Sequence, residues 1–202
     1  MSYHNSIHPT ITLQNASYYS SLGGAVRGAP QSSFMIPNRK RVPQSIYHPN
    51  DKWRAQTGRL TVHPPIAIDF KGYSRQGMKM SEIYARGSYA LSQMMEGADD
   101  RVLARTGLKR ITLHIRWPGY DSYDHCKWIR SIELNTSSGP ITRAELAAAV
   151  SQNFYRYFDV IASTPVMDWY LGPKGITFDK LVLVSIINVF EDAWQADVAV
   201  DF

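Results

Sequence analysis

A chain of 202 residues with 44% hydrophobic residues is long enough for one domain with a proper core and an appendage. No apolar run reaches eighteen residues, so no membrane span is expected, and a single cysteine, Cys126, excludes an internal disulfide and fits a reducing, cytosolic or nuclear compartment. The net charge of +5 is uneven: residues 1–60 hold seven Lys/Arg against one acid, Asp51, while the remaining fifteen bases and sixteen acids leave that part at −1.

In chain order, residues 1–58 are rich in Ser, Asn, Gln, Pro, Gly and Tyr, with no sustained period of either kind. Such a stretch buries too little apolar surface to offset its ordering entropy, so it reads as an extended or disordered basic arm. Its opening, MSYHNSIHPT, has no charged start followed by an apolar run, so no secretory signal is expected. Tyrosines and the triplet Phe34-Met35-Ile36 make it stickier than a solvating tail. Residues 59–202 read as the globular domain.

Residues 60–70, LTVHPPIAIDF, are strand-like at both ends, and Pro64-Pro65 restricts them to an edge strand or two short extended pieces. From Ser81 the spacing of Ile83, Gly87, Ala90, Leu91 and Met94 predicts a helix, capped by Ser81 and closed near Gly97. Gly87 inside it suggests a close backbone approach.

Residues 110–117 alternate. Ile111, Leu113, Ile115 and Trp117 point one way, and Thr112, His114 and Arg116 point the other, until Pro118-Gly119 stops the strand. This is the expected central strand of an antiparallel sheet, half-buried. A polar loop, DSYDHC, leads to a strand over 128–135 with Trp128, Ile132 and Leu134 on one face and Arg130 interrupting it. Thr142 and Glu145 form a capping box, Ile141 can staple onto Leu146, and Leu146, Val150, Phe154, Tyr157, Phe158 and Ile161 make one long buried stripe. Residues 181–190, LVLVSIINVF, are apolar on both faces, as an interior strand is. After Glu191-Asp192 a last strand alternates, with Asp197 and Asp201 on the face expected to be exposed. Strands and helices mixed without βαβ repetition predict an α+β fold.

Three stretches, RITLHIRWPGY, PITRAELAAAV and LVLVSIINVFEDAWQADVAV, together resemble a large family from mushroom-forming fungi. Its pattern is a strand ending in WPGY, a PITR helix start and a closing LVLV…WQ strand pair. The likeness covers residues 77–202 and leaves out the arm. It implies an origin and a domain extent, and no activity, cofactor or partner.

Catalytic signals are sparse. The best corner is His114, His125 and Cys126, with Asp121 and Asp124 nearby. Neighbours in an extended chain point apart, so His125 is badly placed to activate Cys126, whose sulfur reads better as a small packed hydrophobe. The spacing lacks the pairing of zinc ligands, and no phosphate loop, nucleophile elbow or HExxH occurs. No cofactor is expected. The arm offers more: Arg39, Lys40 and Arg41, then Lys52-Trp53-Arg54, combine cations with an aromatic. These suit nucleic acid, though they suit an acidic surface on a sister subunit equally well. The reading favoured is a non-enzymatic, self-assembling structural protein whose arm docks on neighbouring copies. Phe34, Ile36 and Trp53 are then the anchors. Nucleic-acid binding through the arm comes second and catalysis at the His114/His125/Cys126 corner third.

Overall fold

The computed structural model describes residues 34–47, 63–161, 164 and 168–202. Its middle is a hairpin of two long apolar strands, β8 (Leu181–Phe190) and β9 (Ala193–Asp201), closed by Glu191-Asp192 with Glu191 at φ +36°. Two short strands share the outer edge of β8: β2 (Ile66–Ala67), opposite Ile186 and Ser185, and β3 (Met78–Lys79), opposite Leu183 and Val182. The prolines before Ile66 thus sit at a sheet edge, where a missing N–H costs no ladder bond.

On the other side of β9 lies β4 (Arg110–Ile115), and beyond it β5 (Trp128–Glu133), paired antiparallel with Ile111 opposite Ile132 and Ile115 opposite Trp128. β6 (Asn135–Thr136) and β7 (Gly139–Pro140) form a separate antiparallel pair. The contact of β4 with β9 is parallel, through Thr112–Ala193 and Leu113–Trp194. The sheet is therefore mixed, because the chain between these two strands includes a helix long enough to carry it back in the same direction. β9, not β4, is the centre. The expected interruption at Arg130 resolves simply: its guanidinium lies over the Trp128 ring, 4.4 Å from the centroid.

The long helix, labelled α3 because two short ones precede it, spans Arg143–Ile161 and begins as the capping box requires. The Thr142 N–H donates to Glu145 Oε2 at 2.8 Å, and the Glu145 N–H donates to Thr142 Oγ1 at 3.2 Å. Leu146, Val150, Phe154, Tyr157 and Ile161 are buried with Leu113, Ile115, Trp194, Val198 and Val200 in one continuous core, and Phe158 packs at its margin. This makes the fold α+β: a sheet with a helical layer on one face.

The helix expected from Ser81 divides into α1 (Met80–Ala85) and α2 (Ser88–Met94). Arg86 and Gly87 between them are extended, with ψ of 144° and 166°. An added Cβ at Gly87 would meet nothing within 4 Å, so the glycine serves no close approach and stands as the extended N-cap of α2. Close approach belongs to Gly77 instead. At φ +76° its added Cβ would lie 2.8 Å from the Leu183 carbonyl oxygen, beside the β3–β8 pairing.

Candidate functional site

β4 pairs with β9 only at Ala193 and Trp194. The rest of that edge of β9 would present a row of unpaired N–H and C=O groups, a template for another strand. Residues 39–47 fill it. β1 (Arg39–Arg41) pairs antiparallel, Arg39 opposite Asp201, Lys40 opposite Val200 and Arg41 opposite Ala199. The Val42 N–H then donates to the Val198 carbonyl at 2.8 Å, and Gln44 Nε2 to the Ala196 carbonyl at 2.7 Å. Gln195 holds the next turn by accepting the Tyr47 N–H (2.6 Å) and donating to the Ser45 carbonyl (3.0 Å).

Charge matches along this seat. Arg39 binds Asp201 with two parallel bonds of 2.6 and 2.9 Å, and its third nitrogen donates to the Gln76 carbonyl at 2.6 Å. Arg41 donates to Asp197, and the two side chains are only 9% and 3% exposed. Asp197 and Asp201, expected on an exposed face, are therefore covered by this segment of the same chain. Both faces of β9 are buried for that reason.

Phe34 folds back over a small second cluster, Val182, Val184 and Ala199, on the face away from α3. The Arg41 and Arg39 guanidinium carbons stand 4.8 and 5.7 Å from its ring centroid. At the other end of the segment Tyr47 stacks on His114, with centroids 4.1 Å apart. Ser45 Oγ bridges the pair Arg116–Asp121, donating to Asp121 Oδ2 at 2.6 Å and accepting from Arg116 Nε at 2.8 Å.

Two groups under the segment titrate abnormally. Burial pushes the Asp197 carboxyl up, and the Arg41 guanidinium only partly opposes it. Burial beneath Tyr47, helped by the nearby Arg116 charge, holds the His114 imidazole below its ordinary range against the pull of Asp192. The polar face of β4 is thus roofed, where the alternation alone suggested solvent.

The His114/His125/Cys126 corner is not assembled. His114 faces Tyr47, whereas Cys126, in a 3-10 turn over Asp124–Cys126, joins the core on the opposite face of the sheet. Cys126 Sγ and His125 Nε2 each contact Thr164 Oγ1, at 3.5 and 2.9 Å. Asp124 is fully exposed and paired with Lys127, which holds its carboxyl below the usual range. No group of three His, Cys, Asp or Glu among the described residues is placed to hold a metal ion.

Of the sequence-predicted contact residues, Phe34, Arg39 and Arg41 are brought together on the sheet, and Lys40 points to Phe202, 5.4 Å from its ring. Ile36 stays exposed with Met35 and Tyr73 on the rim of a groove of about 470 Å³ floored by Phe70, Gly77 and Met94. Lys52, Trp53 and Arg54 lie outside the described residues. Gln44, Ser45, Tyr47 and Gln195 carry part of the seat and were missed. The signal available was weak: two arginines two apart in the arm and two aspartates four apart on the last strand, which the register joins directly at Arg39–Asp201 and diagonally at Arg41–Asp197.

Among known proteins, no family model, no curated protein and no solved structure matches the chain. No helix among the described residues is long and apolar enough to cross a membrane.

Proposed function

We propose that this chain is a non-enzymatic assembly protein of the cytosol or nucleus, in which the N-terminal segment couples one copy to the next. The observation that supports this reading most is the seat itself. The open edge of β9 is completed by a piece of chain distant in sequence that brings its own strand, an aromatic anchor and two arginines that each pair with an aspartate of β9. The same contacts form whether the segment comes from its own body or from a sister copy. The choice then depends on local concentration, set by the chain of residues 48–62 between the segment and the body. Met35, Ile36 and Tyr73, exposed on the neighbouring groove, add an apolar contact for that second copy.

Nucleic-acid binding is the weaker reading, because Arg39 and Arg41 already spend their charges on Asp201 and Asp197. The likeness to the fungal family sits beside the proposal and lends it no activity.

Light scattering on the native protein tests it, with and without residues 1–58. The full chain should exceed the monomer mass increasingly with concentration. The truncated chain should be monomeric and should bind an added peptide of residues 34–47. Assembly should survive moderate salt, since its ion pairs are buried and its anchors apolar. A full chain that stays monomeric from micromolar to millimolar concentration overturns the proposal, as does retention on a nucleic-acid column that salt alone abolishes.

A further inference from the structure

A cavity of about 840 Å³ opens between Pro118-Gly119, the loop of residues 168–176 and Phe202. That volume falls in the range of small-molecule sites.

Its walls are aromatic and its charges are unspent. Trp169 stands edge-on between two rings, 6.5 Å from Trp117 and 5.8 Å from Phe202. Its backbone is left-handed, φ +56°, a conformation that costs a bulky residue on the order of 1–3 kcal/mol and persists only where its surroundings impose it. Here the Trp117 indole N–H donates to the Trp169 carbonyl at 2.8 Å and locks it. Tyr170 supplies a second ring. It is folded against Gly172 and Gly175, where an added Cβ would come within 2.9 Å of its hydroxyl and 2.4 Å of its carbonyl oxygen respectively. Phe202, 56% exposed, is the third, and the docked segment steadies it: the Phe202 N–H donates to the Asn38 carbonyl at 3.2 Å. Lys174 and Asp168 also line the cavity, and neither forms an ion pair with any described residue.

We infer that this cleft binds a small planar ring compound carrying an anionic group. The ring stacks on Trp169 and Tyr170, the anion meets Lys174, and Asp168 accepts a hydrogen bond from an N–H or O–H on the ring. Rings lacking the charge leave Lys174 unanswered. Anionic sugars or aliphatic acids forgo the stacking that the aromatic walls supply. The inference rests on this cavity alone and is independent of whether copies assemble.

Calorimetry on the full chain tests it with two anionic probes, adenosine monophosphate and indole-3-acetate, and their neutral counterparts, adenosine and indole. Saturable binding of at least one anionic probe is expected, with its neutral counterpart weaker. Phosphate-only binding identifies a nucleotide-like ligand, and carboxylate-only binding an aromatic acid. Lys174→Gln, at an exposed side chain, should weaken binding about tenfold, the loss of one charge-assisted hydrogen bond. Trp169→Gly should abolish binding without unfolding the loop, because glycine accepts the left-handed backbone that tryptophan adopts under strain. Circular dichroism confirms that each variant is folded. Absence of saturable binding by both anionic probes overturns the inference. So does equal binding of charged and neutral rings, or binding that both folded variants retain.

Discussion

The two faces of the β8–β9 hairpin are covered by unlike material. On one, α3 lays five apolar side chains against an apolar wall that includes Leu113, Trp194 and Val198. On the other, the roof is residues 34–47, which place Phe34 over Val182, Val184 and Ala199, send Val42 into the main core, and are otherwise held by hydrogen bonds and two arginine–aspartate pairs. Burial of apolar area needs no exact partner, so the helical face tolerates small adjustments. Buried charges stand only while each keeps its partner, so the other face is held all or none.

The largest break in this contrast should come from Leu113→Asp, which sets an unpaired charge into the helical face. A cost of about 5 kcal/mol or more, enough to unfold a marginally stable domain, is expected in denaturant melts. Thr112→Asp, on the opposite face, should cost about 1 kcal/mol, because the new carboxylate meets Asp192, to which the Thr112 hydroxyl now donates at 2.8 Å. Equal damage from both would erase the distinction between the faces.

Next in size is Arg41→Ala, which strands Asp197 beneath the segment. About 3 kcal/mol should be lost at neutral pH. With its folded-state value raised, Asp197 weighs against folding most when ionised. The penalty should therefore shrink as pH falls through that raised value toward the unfolded carboxylate value of about 3.9. The pair Arg41→Leu with Asp197→Leu should be far milder than Arg41→Ala alone, which a double-mutant comparison of melting curves reads directly.

Phe34→Ala sharpens the comparison rather than breaking it. The ring is only half-buried, so about 1–2 kcal/mol is expected. Hydrogen exchange should quicken at the Val42 amide while amides of α3 keep their protection. Uniform loss of protection would mean that the two layers unfold together.

Cys126→Ala should cost about 1 kcal/mol for a small buried void and leave the proposed assembly unchanged, since its sulfur lies in the core against Thr164. Loss of assembly at unchanged melting temperature would give the sulfur a role beyond packing.

The smallest effect is on pH dependence. His114 is held neutral by burial, so the stability it lends is present above the unfolded imidazole value of about 6.5 and is lost as pH falls through its lower folded value. A gentle decline in melting temperature below neutrality is expected, and Tyr47→Ala, which uncovers the ring, should flatten it. A variant as pH-sensitive as the parent would place the titration elsewhere.

Local patterning decided the helical face. The capping box at Thr142 and Glu145, the stripe from Leu146 to Ile161 and the alternation of Ile111 to Trp117 each express a period of one element, which neighbouring residues carry without outside help. So the α+β class, the strands at 110–115 and 181–190, and the long helix were readable from residues alone. Tertiary structure alone decided what lies beside what. It set β9 at the centre, turned its contact with β4 parallel and broke the helix at Arg86-Gly87. It also roofed Asp197 and His114 with residues that precede them by more than sixty positions. Pairing across such separations leaves no period in the sequence. Its trace is two arginines in one place and two aspartates in another, and only the register of β1 on β9 says that they meet.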